Sequence, residues 1–315
     1  MQNTQRNKFS ILTVVYLLFV TQIAMTFGQT LEIADGVWVF QGEGYSINAQ
    51  NKGRVTNIGF IETPESGIII NTGISHNHAS QVIEKIVEIS SKEKIDAVVT
   101  QGAQKFALGA FSLSELGIQT YAHPRAASQM QDRCIHCIEY LEEVLGRHEM
   151  KGTQVDNPQD IYEMGELSHR PLRDIVVIYH EDTISEGVIM IYHSLTETLF
   201  SGDVVFSNVI PNVKEANLKK WKKSLELIRK MPISVIVPAT GPLLTKSSID
   251  DSLAYLNALE KLTGSLYDKN LDLLSATQKG ELTEFSNWAL YNKHHINNVM
   301  YRYLKIEEKE LRLEK

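Results

Sequence analysis

Short runs of β-branched and aromatic residues alternate with stretches of helical periodicity twice along the chain, and this alternation is what most restricts its fold. Gly36-Val-Trp-Val-Phe40, Thr56-Asn-Ile-Gly-Phe-Ile61 and Ile68-Ile-Ile70 read as strands, with Pro64-Glu-Ser-Gly67 as a turn before the third. Helical spacing then runs from Ala79 to Ile89. A strand over Asp96–Val99 follows and ends in a glycine-containing loop. Phe111–Leu116 reads as helix, Gln119–Ala122 as strand and Ala126–Leu145 as a long helix, and Lys151–Arg173 is loop-rich. The second half repeats the scheme: strands at Asp174–Tyr179, Gly187–Tyr192 and Thr198–Phe200, a helix at Leu218–Lys230, a strand at Val235–Val237, and helix from about Ile249 onward. Alternation of this kind predicts one layered α/β domain. The run Lys219-Lys-Trp-Lys-Lys223 is read as a solvated helix face, because Leu218, Trp221, Leu225 and Ile228 form the apolar stripe and the lysines fall off it.

The N-terminus predicts an export signal over residues 1–28, with the domain occupying residues 29–315. Arg6 and Lys8 precede a mostly apolar stretch from Phe9 to Ile23, and Thr26 and Gly28 are small enough for a cleavage site after Gly28. That places the domain in the periplasm or outside the cell. The alternative is an uncleaved anchor, since Phe9–Phe27 is just long enough to span a bilayer. A net charge of −7 argues against a general nucleic-acid binder, which needs a basic surface to neutralise phosphates. The two cysteines, Cys134 and Cys137, are spaced C-x-x-C. An oxidising compartment favours a disulfide between them, while redox or metal-handling roles stay open. Zinc of the structural kind would need more soft ligands than these two.

Several stretches together carry a resemblance: Gly36-Val-Trp-Val39, Asn57-Ile-Gly-Phe-Ile61, Thr72-Gly73, Tyr121-Ala-His-Pro-Arg125, Leu199-Phe-Ser-Gly-Asp-Val-Val-Phe206, Val237-Pro238, Gly241-Pro242 and the region from Asn297 to Tyr303. In this ordered set the chain resembles the metallo-β-lactamase superfamily. More narrowly, through Arg133-Cys-Ile-His-Cys137, Leu145-Gly146 and Gly152-Thr153, it resembles the exported SoxH-like zinc metallohydrolases of quinoprotein relay systems. The resemblance implies a four-layer αββα sandwich and a centre of one or two Zn²⁺ ions that activate water for hydrolysis.

The same resemblance implies where the zinc ligands should stand, and the residues found there are of other kinds. In the loop after Val98-Val99-Thr100, the H-x-H-x-D-H positions are held by Gln101, Ala103, Lys105 and Phe106. Ile184 stands for a downstream His and Thr240 for the final one, and Asp203 alone is kept. Ala, Phe and Ile offer a metal no lone pair, and Lys105 brings a cation to the place of a divalent ion. No cofactor is therefore expected, zinc included. Lys105 and Asp203 are expected to form an ion pair in the emptied pocket; the alternative is an Asp203 held by backbone N–H groups or water.

Of the histidines, His76 and His78 form an H-x-H pair whose side chains, in an extended loop, would point the same way, and His180 precedes Ile184 by four residues. All three are read as ordinary loop or surface histidines, His123 as a brace of the fold, and His294-His295 as lacking a metal-binding companion. The first functional expectation is a non-catalytic homologue whose cleft, lined by Gln101, Gln104, Lys105, Phe106 and Ile184, binds a small molecule or serves a periplasmic protein partner. The alternatives are a hydrolase with a rebuilt centre using Ser185, Thr240 or Asp203, and a redox or metal-handling protein using Cys134, His136 and Cys137.

Overall fold

In the computed structural model the described residues are 28–160, 174–180 and 182–313. The expected signal segment, apart from Gly28, lies outside them, as does most of the stretch after Asp160. The first sheet runs in order β1 (Thr30–Ala34), β2 (Val37–Phe40), β3 (Ile58–Glu62), β4 (Gly67–Ile70), β5 (Ile95–Val99), β6 (Gln119–Ala122) and β7 (Gln159–Asp160). β1 to β4 pair antiparallel and β4 to β7 parallel. The second sheet has the order β11 (Val235–Pro238), β10 (Thr198–Gly202), β9 (Ile189–His193), β8 (Ile175–Tyr179), with β10 and β11 parallel and the other pairs antiparallel. The helices are α1 (His76–Ile89), α2 (Gln104–Ala107), α3 (Ala110–Glu115), α4 (Pro124–Leu145), α5 (Arg147–Met150), α6 (Leu218–Ile228), α7 (Ser248–Asp268), α8 (Leu273–Lys279) and α9 (Tyr291–Leu313).

Period-two side-chain alternation sorts the strand residues into layers. Ile68 and Ile70 point between the sheets, with Val37, Val39, Ile61 and Val98, and meet Val177, Ile189, Ile191, Phe200 and Val237 of the second sheet. Ile69, Ile58 and Phe60 point the other way, onto Val82 and Ile86 of α1 and Leu113 of α3. On the far side, Met190, Tyr192, Leu199 and Ile236 pack against Trp221 and Leu225 of α6, Tyr255 and Leu259 of α7, and Val299 of α9. The result is helix, sheet, sheet, helix. Gly59 belongs to this packing: a Cβ there would lie 2.3 Å from the Phe200 ring. A runs-of-three isoleucine strand buried on both faces is what such a sandwich requires.

Element starts differ from the expectation where capping decides them. α1 begins at His76, three residues before Ala79, because Ser75 Oγ accepts the His78 N–H at 3.1 Å. α4 begins at Pro124, whose ring suits the first turn, with His123 Nδ1 accepting the Arg125 N–H at 3.2 Å. β1 was not anticipated: Thr30–Ala34 is an edge strand with no fully buried residue, so no hydrophobic alternation marks it. No helix among the described residues is long and apolar enough to cross a membrane.

Candidate functional site

The loops after β5, β10 and β11 converge at one end of the two sheets, at the carboxyl ends of those strands, where open α/β sheets place their clefts. Each loop is pinned from below. Asn71, which follows β4 in the left-handed region at φ 67°, accepts both the Thr100 N–H (3.0 Å) and the Thr100 hydroxyl (2.8 Å) through Oδ1, and so fixes the start of the loop after β5. Asn57, buried, donates to the Pro238 and Gly241 carbonyls at 2.9 Å each and accepts the Gly42 N–H at 2.9 Å, which holds the loop after β11. The Trp221 indole donates to the Val204 carbonyl at 2.8 Å and anchors the segment after β10 on α6.

These loops enclose a cleft of about 380 Å³. Six of the seven positions where the resemblance puts zinc ligands line it: Gln101, Ala103, Lys105, Ile184, Asp203 and Thr240. Phe106 does not line it. Its ring is buried beneath α2 with Val99, Leu108 and Met130, and its carbonyl accepts the Thr72 N–H at 2.8 Å. The expectation that Phe106 faces the cleft is thus corrected: at this loop position the aromatic ring lies in the core rather than in the opening.

Lys105 Nζ donates to Asp203 Oδ1 at 2.9 Å, both side chains being about three-quarters buried, and the ammonium also stands 4.8 Å from the Phe106 ring centroid. The Asp203 backbone N–H in turn donates to Gln101 Oε1 at 3.3 Å. Three of the positions where the resemblance puts ligands are therefore bonded to each other. Cation, carboxylate and amide satisfy one another where imidazoles and carboxylates would have to face a metal. The set does not fit zinc: it offers one carboxylate, already paired, and no imidazole. Among the described residues no group of three or more His, Cys, Asp or Glu is placed to hold a metal ion.

The histidines go elsewhere. His76 and His78 lie in the first turn of α1 rather than in an extended loop, so two residues apart they diverge around the helix. His76 Nδ1 pairs with Ser112 Oγ at 2.8 Å. His78 is buried, and burial together with the nearby Arg54 charge pushes its pKa down to about 3. His180 bonds Ser224 Oγ at 2.6 Å, and His123 stacks on Tyr179 with centroids 4.2 Å apart. His294 was dismissed on sequence and yet lines the cleft, with Nδ1 2.8 Å from the Ile210 carbonyl; burial lowers its pKa.

One wall of the cleft is built by α4, which the sequence reading did not place at the site. Gln129, Arg133, Cys134 and Cys137 line the cleft from it, and Arg133 pairs with Glu215 at 2.6 Å. The i, i+4, i+8 spacing of Gln129, Arg133 and Cys137 is the signal that marks one face of the helix. The expected disulfide is also corrected. Cys134 and Cys137 are free thiols, three residues apart within a continuous helix, with the Cys137 thiol donating to the Arg133 carbonyl at 3.3 Å. Burial pushes the Cys134 pKa up to about 12.

Comparison with solved structures decides the architecture. FIM-1 from Pseudomonas aeruginosa, a metallo-β-lactamase solved in its mono-zinc form, superposes with a TM-score of 0.56 at 18% identity, covering 73% of this chain and 94% of that one. The chain has the metallo-β-lactamase fold. A metallo-β-lactamase from Hirschia baltica gives a TM-score of 0.54 at 19% identity over 72% of this chain and 96% of its own, and VMB-1 gives 0.56 at 18% over 73% and 96%. The sequence profile of the metallo-beta-lactamase superfamily matches residues 135–240, which run from within α4 through the Asp203 loop to Thr240. No curated protein sequence matches the chain. On a metallo-β-lactamase fold the cleft described above occupies the end where strand-to-helix loops gather.

Proposed function

We propose that this protein is a member of the metallo-β-lactamase superfamily in which contacts between side chains have taken the place of the zinc centre, and that its cleft binds a small molecule in an accessory, non-hydrolytic role. One observation carries the reading: the Lys105 ammonium lies 2.9 Å from the Asp203 carboxylate, the one retained ligand-type residue. A divalent ion at Asp203 would meet that cation at close range in a partly buried site, where like charges repel strongly. The cleft's volume of about 380 Å³ and mixed lining, with Ile184, Val205 and Phe206 beside Gln101, Gln104 and Tyr45, suit a small partly apolar molecule.

Kinship with the SoxH-like metallohydrolases, export through residues 1–28 and a periplasmic partner are parts of the same proposal, supported by the sequence stretches named above. The superfamily is hydrolytic, so a rebuilt centre is the competing reading. Ser185 and Thr240 share the cleft with Asp203, but its carboxylate is committed to Lys105. Metal analysis of the purified full chain, run beside ester and β-lactam substrates, separates the two. The proposal expects less than about 0.1 zinc per chain and no turnover. Zinc retained through gel filtration at about one per chain, or metal-free hydrolysis that Ser185→Ala abolishes, would overturn it.

A further inference from the structure

We propose that Met130, Cys134 and Cys137 form a binding site for a soft monovalent cation of the Cu(I) class on the α4 wall of the cleft. The three residues stand at i, i+4 and i+7 of one uninterrupted helix, which brings them within about 60° of each other around its axis. They share one apolar cluster, Met130 and Cys134 fully buried and Cys137 at its edge. Both cysteines line the cleft, so an ion has an approach to them. The Cys137 thiol donates to the Arg133 carbonyl one turn earlier, which keeps it on this face of the helix.

The donor chemistry sets the class of ion. Two thiols and a thioether are soft ligands, and such sets select Cu(I) over hard or borderline divalent ions. Zinc is poorly served, since its sites are built from thiolate, imidazole and carboxylate ligands and a thioether is a poor donor to it. Binding displaces the two thiol protons to solvent and leaves one net negative charge on the ion and its two thiolates. His136 takes no part: its side chain is 85% exposed and turned toward Glu139.

The test is an anaerobic titration of the reduced full chain against Cu(I) held by bicinchoninate, read as loss of the coloured complex. The expected result is about one Cu(I) withdrawn per chain, abolished by Cys137→Ser and by Cys134→Ala, weakened about tenfold by Met130→Leu and unchanged by His136→Ala. Cys137 is only partly buried, so Cys137→Ser keeps the fold and decides the matter even if Cys134→Ala does not; thermal melting checks each variant. No Cu(I) withdrawn by the wild-type chain, or undiminished withdrawal by Cys137→Ser, would sink the proposal, and unchanged affinity in Met130→Leu would overturn the three-sulfur set. Zinc found at Asp203 would overturn the proposed function and leave this assay unaffected, so the two fail separately.

Discussion

Lys105 and Asp203, 98 residues apart in sequence, meet as an ion pair with Nζ and Oδ1 separated by 2.9 Å. The pair closes the loop after β5 onto the loop after β10 and ties the two sheets together at the mouth of the cleft. Its surroundings are about three-quarters buried, so each partner depends on the other to offset its desolvation.

Removing either charge alone is therefore expected to destabilise the protein. Lys105→Met or Asp203→Asn should each lower stability by about 1–2 kcal/mol, and the double variant should recover part of that loss, since it leaves no unpaired charge. Urea denaturation of the four proteins of this cycle measures the coupling; strictly additive losses would show that the pair has no mutual stabilisation.

Asn57→Ala should be the more damaging change. It removes two donated bonds and one accepted bond from a buried side chain and leaves the Pro238 and Gly241 carbonyls and the Gly42 N–H without that partner. About 2–4 kcal/mol is expected, read as a drop in the denaturation midpoint. A loss below about 0.5 kcal/mol would mean that water replaces all three bonds.

Acid should weaken the fold through His78. Its native pKa lies near 3 against 6.5 when free, so the unfolded chain takes up a proton that the folded chain refuses. Above pH 6.5 both states hold the ring neutral and the contribution is constant. As pH falls from there toward 3, His78 subtracts about 1.4 kcal/mol of stability per pH unit. A His78→Gln variant should show a shallower stability slope between about pH 6 and 4 than the wild-type chain, by denaturant titration at each pH; parallel slopes would place the acid sensitivity elsewhere.

Chelation should change nothing around the Lys105–Asp203 pair. Because Lys105, Asp203 and Gln101 satisfy one another, prolonged dialysis against EDTA is expected to leave the melting temperature unmoved within about 1 °C. A fall of several degrees, reversed by added zinc, would reveal a structural metal.

Much of this was readable along the chain. The isoleucine strand at Ile68–Ile70, the stripe Leu218, Trp221, Leu225, Ile228 and the strands around Leu199 and Val237 lie in the elements expected of them, because burial on a sheet face or helix stripe imposes a period that the sequence must carry. Of the seven residues that stand where the resemblance puts ligands, six line one cleft. Less visible were features that no hydrophobic period marks. The edge strand β1 has no apolar period, and the start of α1 at His76 depends on one Ser75 cap.

What the sequence determined by itself is the layered α/β scheme and the chemical character of the cleft positions. Hydrophobic periodicity and residue type are local properties, and an alanine or isoleucine cannot ligate a metal wherever it is placed. What only the tertiary structure decided is which residues share the space those positions surround. Phe106 turns into the core, His294 arrives from α9, and α4 brings Arg133, Cys134 and Cys137 to the cleft. Packing of helices and loops on the sheets sets such juxtapositions, and contacts between residues tens to hundreds of positions apart leave no periodic trace in the chain.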